Sequence, residues 1–320
     1  MPDWLVERGI GETRAALFEN GDILEARIEL EGTIPTGSIL EARLTSVGLK
    51  GRNAIAVAND CEFLLPGGAP GVSEGANVAI EVTRSSIPGS EPWKRPLARL
   101  SDKLPRRAEI FGDMPGSFRL ASPLHDEFAN AGWDDLVEEA RSGVVRFAGG
   151  ELRLAVTPAI TMIDVDGYLE PQELALAGAA AAARAIRRLD IGGSIGIDLP
   201  TVESRSARLA TARTIDDLLP RPFERTAVNG FGFLQIVRPR RRTSLLELAG
   251  DRALFETRAL LRRASFGLPG PQTLVAHPAV IRTLEHHSSW LEALSRQLGG
   301  LVRLRAEGSL PMSGGYAERT

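Results

Sequence analysis

Two short apolar runs, each ending on an aspartate and joined by one helix-length segment, constrain this chain more than any other feature. The first is Ile160-Thr161-Met162-Ile163-Asp164-Val165-Asp166 and the second is Ser194-Ile195-Gly196-Ile197-Asp198. Short β-branched runs bounded by Gly or polar residues read as buried strands. Between them, residues 173–189 carry Leu174, Leu176, the alanines 179–183, Ala185 and Ile186 as a helix. Pro171 stands at its mouth, Gly192-Gly193 just past its end, and Arg184, Arg187 and Arg188 in its last turns, the expected asymmetry. Strand, helix, strand predicts a right-handed crossover with parallel strands. Asp164 and Asp198 then share one rim, where open α/β sheets bind ligands. An acid at the end of a buried strand is costly unless its charge is offset. Paired carboxylates are hard oxygen ligands for magnesium or manganese, and such a metal on phosphate oxygens serves phosphodiester hydrolysis. The same acids also suit helix caps or loops, and Asp198-Leu199-Pro200 also suits a simple turn.

The rest of the chain divides around that unit. Residues 1–36 form a β-meander packing on the core, with strands at 4–8, 13–18 and 23–30 and a turn at Asn20-Gly21, a strong hairpin signal. Residues 37–84 hold four short strands between Gly-rich turns, which suggests a small barrel of the OB type. Such barrels bind single strands through aromatic stacking and basic grooves. Phe63 is the aromatic available here, with Arg43, Lys50, Arg52 and Arg84 as the basic residues. Phe63 serves either stacking or simple core packing. Residues 85–116 form a linker with a basic tint, either lying along a nucleic-acid backbone or merely solvated.

Residues 117–242 form the catalytic α/β core: a helix at 125–142, a hairpin through Gly149-Gly150, the central crossover, a covering helix at 201–219, and strands at 223–228 and 231–237. The last strand runs into Arg238-Pro239-Arg240-Arg241-Arg242. Four arginines at a strand end suit a phosphate site, and equally a solvated edge. Residues 243–320 form a small C-terminal α/β unit, with helices at 245–265 and 278–298, the second interrupted near His287-Ser288, and strands at 272–276 and 301–306. His277, His286 and His287 lack metal-ligand spacing.

Composition removes several classes. The chain has 320 residues, 43% hydrophobic and 25% charged, an ordinary profile for a water-soluble protein with a substantial core. No apolar run approaches the roughly 20 residues of a membrane span, and the N-terminal residues lack a signal-peptide pattern. The expectation is therefore a cytoplasmic protein without a membrane partner. Cys61 is the single cysteine, which excludes an internal disulfide and a multi-cysteine zinc site. A net charge of −3 directs any nucleic-acid argument to local patches. Lys50, Lys94 and Lys103 are the only lysines. The predominance of Arg suits phosphate recognition and also fits a general composition bias.

Four blocks, in order, resemble the ribonuclease E/G family. They are residues 6–17 (Val6-Glu7-Arg8-Gly9-Ile10-Gly11-Glu12-Thr13-Arg14 onward), Ile163-Asp164-Val165-Asp166, Ile191-Gly192-Gly193-Ser194-Ile195-Gly196-Ile197-Asp198, and Phe231-Gly232-Phe233-Leu234-Gln235-Ile236-Val237-Arg238-Pro239-Arg240. The later Ala276-His277-Pro278 continues the likeness. The resemblance implies a magnesium-dependent endoribonuclease (manganese as an alternative) that cuts single-stranded RNA in RNA processing. It implies an α/β fold, α+β overall, with a DNase I-like/RNase H-like catalytic core and an inserted OB-type barrel. The family's metal-binding aspartates match Asp164 and Asp198. Asp166 stands where the family usually has Asn, as a third ligand or an orienter. Phe63 matches an aromatic of the barrel, and Ala56 replaces a second one. Arg238, Arg240, Arg241 and Arg242 would contact the RNA backbone.

The chain also departs from the family. Its loop after the first aspartate is shorter, and the Cys-Pro-X-Cys zinc link between protomers is absent, so no zinc is expected. Any homo-oligomer would form without that link. The region sensing the RNA five-prime end is reduced, with Lys94-Arg95 as its remnant. These departures keep open a second reading, a non-catalytic RNA-binding protein of the same fold.

Overall fold

A computed structural model describes residues 3–48, 52–87, 94–112, 114 and 116–319; the barrel residue Lys50 lies outside the described residues. The protein is mixed α/β, with a closed five-stranded barrel and three open sheets. The chain opens on three antiparallel strands, β1 (Asp3–Arg8), β2 (Glu12–Glu19) and β3 (Asp22–Leu30). The β2–β3 turn works because Asn20 and Gly21 both take positive φ, 54° and 91°, as a tight hairpin turn requires.

The barrel comprises β4 (Ile39–Ser46), β5 (Ala54–Ala58), β6 (Cys61–Leu65), β7 (Asn77–Arg84) and β8 (Leu97–Ser101). Its order is β4-β5-β6-β8-β7, closed by β4 against β7. Alternating residues point inward, and Leu44, Ala56, Phe63, Leu65, Ile80 and Val82 fill the interior. The segment expected to be a linker therefore supplies the closing strand β8. Without it β6 and β7 would both be open edges, which sheets avoid.

Next come β9 (Phe118–Leu120), which runs parallel to β1, and helices α1 (Glu127–Asn130) and α2 (Trp133–Ser142). The single helix expected at 125–142 is broken at Gly132, whose φ is +84°. The larger sheet then forms from β10 (Val144–Phe147), β11 (Gly150–Val156), β12 (Thr161–Gly167), β13 (Gly193–Asp198), β14 (Glu224–Arg225) and β15 (Phe233–Arg238). Its order is β10-β11-β12-β13-β15-β14, with β12 and β13 parallel.

The crossover between them is α3 (Pro171–Arg188), with Pro171 in its first turn as expected. Most of its alanines, and Gly178, are buried. A Cβ on Gly178 would collide with Val165 of β12, so the glycine sets how closely helix and sheet approach. Helix α4 (Arg205–Leu218) packs on α3 and is capped by Ser204, which accepts from the Ala207 N–H.

The chain ends with α5 (Leu245–Gly250), α6 (Arg252–Ser265), β16 (Gln272–Ala276), α7 (Pro278–His286), α8 (Ser288–Leu298), β17 (Val302–Ala306) and β18 (Tyr316–Arg319). These strands form a small sheet in the order β17-β16-β18. Asp251 interrupts the helix expected at 245–265 by capping α6, accepting from the Leu254 N–H.

The chain divides into two compact units. One comprises residues 1–31, 116–142 and 245–320; the other comprises 32–115 and 143–244. The segments expected as 1–36, 117–242 and 243–320 are thus redistributed: the first meander, α1, α2 and the C-terminal part form one unit. Within it Arg14 meets Glu7 at 2.5 Å, and Arg262 reaches the same Glu7 at 3.0 Å and also pairs with Asp126. These charges are buried, and carboxylate and guanidinium must satisfy each other there. The Glu7-Arg8 to Arg14 block singled out in the sequence therefore serves the core of that unit.

Candidate functional site

The larger sheet builds the site by alternation. On β12, Thr161, Ile163 and Val165 are buried towards α3, whereas Asp164 and Asp166 are exposed on the opposite face. On β13, Ile195 and Ile197 are buried and Asp198 is exposed. The parallel register sets Asp164 directly beside Asp198. The row continues outward, with Arg153 of β11 opposite Asp164 and Phe233 of β15 opposite Asp198. Four adjacent strands thus carry Arg153, Asp164, Asp198 and Phe233, about 4.8 Å apart from strand to strand.

Like charges so placed oppose each other's ionisation. The Asp164 carboxyl is held above the ordinary carboxylate range, chiefly by burial and then by the negative charges of Asp166 and Asp198. A hydrogen bond from the Val165 N–H and the charge of Arg153 work the other way. A divalent cation between Asp164 and Asp198 would relieve this repulsion, and two carboxylates completed by water suit magnesium. The two aspartates therefore fit such an ion.

Asp166 stands differently. Its Oδ2 lies 3.9 Å from Arg153 Nε, and Arg153 also donates to Glu151 Oε1 at 2.5 Å. Among the described residues no group of three or more His, Cys, Asp or Glu could hold a metal ion. Asp166, expected as a third ligand or an orienter, has Arg153 within ion-pair distance. Asp166 follows Asp164 by two residues on the same face, which sets it opposite Glu151 of β11, diagonal to Arg153.

The floor beside the acids is apolar. A Cβ on Gly196 would lie 2.8 Å from the Phe233 ring and 2.9 Å from Met162 Sδ. Only glycine lets these two side chains meet over β13. The turn before β15 exposes Phe231 to 84%, and the residue following β12, Tyr168, is exposed to 85%. Phe231 falls within a strand expected from the sequence, but its role as the exposed tip of a turn depends on Gly232. Arg153 and Tyr168 carry no signal beyond ordinary strand and loop composition.

The arginine cluster lies elsewhere. Arg238 pairs with Gly193, at the end of β13 opposite Asp198, a separation of roughly 17 Å along the strand. Arg242 is buried; it meets Asp190 at 3.2 Å and stands over the Phe111 ring. Arg238 donates to the Ile191 carbonyl at 3.1 Å and lies 3.7 Å from Asp190. Arg240 closes over Gly192, where a Cβ would meet its Cα at 2.9 Å. The Arg241 carbonyl accepts from Thr36 Oγ1 and the Ser85 N–H. Arg238 and Arg242, expected at an RNA backbone, thus also fasten the turn after α3.

The expectation for Phe63 is corrected. It is 0% exposed inside the barrel, directly across from the equally buried Ala56. Barrel closure turns both side chains inward, so neither offers a face to a base. In the former linker, Lys94 donates to the Pro158 carbonyl at 2.7 Å and Arg95 to Glu62 at 2.6 Å. His277 caps α7, its Nδ1 accepting from the Ala279 N–H. Among the described residues no helix is long and apolar enough to cross a membrane. No protein-family model matches the chain, and no curated relative matches it.

Proposed function

We propose that the protein is a magnesium-dependent endoribonuclease acting on single-stranded RNA, a compact and divergent relative of the ribonuclease E/G family. The observation that carries this reading is the parallel register that sets Asp164 beside Asp198 on the open face of the sheet. On this reading the sheet and α3 form a DNase I-like/RNase H-like catalytic core, and the barrel is of the OB type. The protein would work in the cytoplasm, and any assembly of copies would form without a zinc link.

Asp164 and Asp198 would hold the magnesium ion, with manganese as an alternative. When bound, the ion polarises the scissile phosphate and lowers the pKa of a water nucleophile. The chain's own contribution is positional. The β12–β13 hydrogen bonds fix the separation of the two carboxylates, and the Val165 N–H orients that of Asp164. Arg153 stands opposite Asp164 and 3.9 Å from Asp166, so it offsets part of the negative charge along the row. Met162 and Phe233 form an apolar floor beside the pair.

One observation favours a second reading, a non-catalytic RNA-binding protein: Asp166 lies 3.9 Å from Arg153, a contact that a third metal ligand would have to give up. Cleavage of a labelled, A/U-rich single-stranded RNA decides between them. Wild type should cut it with magnesium and stop with a chelator. Asp164→Asn and Asp198→Asn should bind the RNA yet lose at least about a hundredfold in cleavage rate, on the order of one catalytic electrostatic contribution. Binding without cleavage across magnesium, manganese and RNAs with either five-prime end selects the binding protein.

A further inference from the structure

The acid row ends on aromatic side chains whose exposure the fold does not require. Phe231 and Tyr168 are 84% and 85% exposed, and both stand past the ends of the strands that carry Asp164 and Asp198. Single exposed apolar residues are ordinary. Here, however, both flank one row of carboxylates at one end of one sheet, and the backbone beneath each is fastened.

The Asn229 side-chain oxygen accepts from the N–H groups of both Phe231 and Phe233, at 2.9 and 3.0 Å. Thr201 Oγ1 donates to the Phe231 carbonyl at 3.3 Å. The Gly232 N–H donates to the Asn229 carbonyl, and the Gly232 carbonyl accepts from the Leu199 N–H, both at 3.2 Å. Gly232 has φ +90°, and a Cβ there would collide with the Leu199 carbonyl. The turn thus holds Phe231 out from the sheet with little backbone freedom, beside Phe233, which packs over Gly196. On the other flank the Tyr168 N–H donates to the Gly149 carbonyl at 3.1 Å. A rigid, exposed aromatic ring is a stacking platform that costs little further ordering on binding.

We propose that Phe231 and Tyr168 are specificity-determining residues that stack on unpaired bases either side of the phosphate held at Asp164 and Asp198. The proposal rests on the reading of that acid pair as a site for RNA. It adds a physical reason for selecting single strands. In a duplex both faces of a base are covered by its neighbours, so the rings find nothing to stack on. An unpaired nucleotide offers its face, and every base has one. The exposed aromatics of this unit thus take over the stacking that the buried Phe63 cannot perform.

The test is equilibrium binding of a fluorescent single-stranded RNA carrying 2-aminopurine, measured with chelator and again with magnesium on a time scale shorter than cleavage. Wild type is compared with Phe231→Ala, Phe231→Leu, Phe231→Trp, Tyr168→Ala and Tyr168→Phe. Each alanine variant should bind roughly 5- to 100-fold more weakly and lose 2-aminopurine quenching. Phe231→Trp and Tyr168→Phe should retain affinity. Phe231→Leu keeps an apolar bulk and should still lose quenching. The dependence of affinity on salt should not change, because no phosphate contact is removed. Melting temperatures of the variants should match wild type, since both rings are exposed.

Alanine variants that bind and quench like wild type overturn the proposal, even if wild type cleaves RNA and the acid-pair reading stands. Weakened, unquenched binding in a protein that never cleaves supports the stacking residues while the catalytic reading falls. If wild type binds no single-stranded RNA, both fall, and the aromatic rim becomes a surface for a protein partner.

Discussion

At the residue scale, Asp164 is the side chain whose environment says most. Partial burial and the charges of Asp166 and Asp198 raise its pKa, so the folded state holds that proton more tightly than the unfolded chain does. Stability must then fall as pH rises from the ordinary carboxylate value, about 3.9, through the raised one, and stay lower above it. Asp164→Asn, which cannot ionise, should therefore be more stable than wild type at pH 7 without metal. The gain should stay below about 1 kcal/mol, because solvent screens an exposed carboxylate. Denaturant melts from pH 3 to pH 8 would show the two proteins converging at the acid end. An Asn variant less stable than wild type at pH 7 would contradict this electrostatic picture.

At the element scale, the barrel shows how a motif can be present in the sequence and absent from the surface. Alternation along β6 places Phe63 and Leu65 on one side and Leu64 on the other. Which side is interior depends on closure, and closure depends on β8, a strand contributed by residues far along the chain. Phe63→Ala should cost about 3–5 kcal/mol, as expected for an aromatic removed from a packed core. Unfolding in urea would measure it. A change below about 1 kcal/mol would mean that the ring packs less closely than its burial implies. The contrast with Phe231→Ala is the point: one substitution should act on stability and the other on affinity.

At the scale of the whole molecule, the chain passes repeatedly between two units, and the acid pair lies in the one formed by residues 32–115 and 143–244. A ligand that binds only the folded site must stabilise the fold by mass action. Magnesium at about 100 times its dissociation constant should add about 2.7 kcal/mol, a rise in melting temperature visible by calorimetry. Replacing both Asp164 and Asp198 by Asn should abolish that rise while leaving the protein folded. An equal rise in the double variant would place the ion elsewhere. This readout does not depend on RNA cleavage, so it separates metal binding from turnover.

Much of the central unit is determined by the sequence itself. Period-two alternation in 161–166, Pro171 before the helix and Gly192-Gly193 after it are local signals, and local sterics and hydrophobic burial suffice to predict two parallel strands with Asp164 and Asp198 on one rim. The short hairpin at Asn20-Gly21 is legible for the same reason. What only the tertiary structure decided are the features that need distant partners. Barrel closure turns Phe63 inward, and α3's final turn brings Asp190 to Arg238 and Arg242, which engages them within the fold. Arg153 stands opposite Asp164 and within reach of Asp166 because β11 and β12 pair in that register. Phe231 emerges as an exposed tip because Gly232 must pass under Leu199. Each of these depends on which surfaces meet when non-local strands pair, and pairing between distant segments leaves no periodic mark in either one.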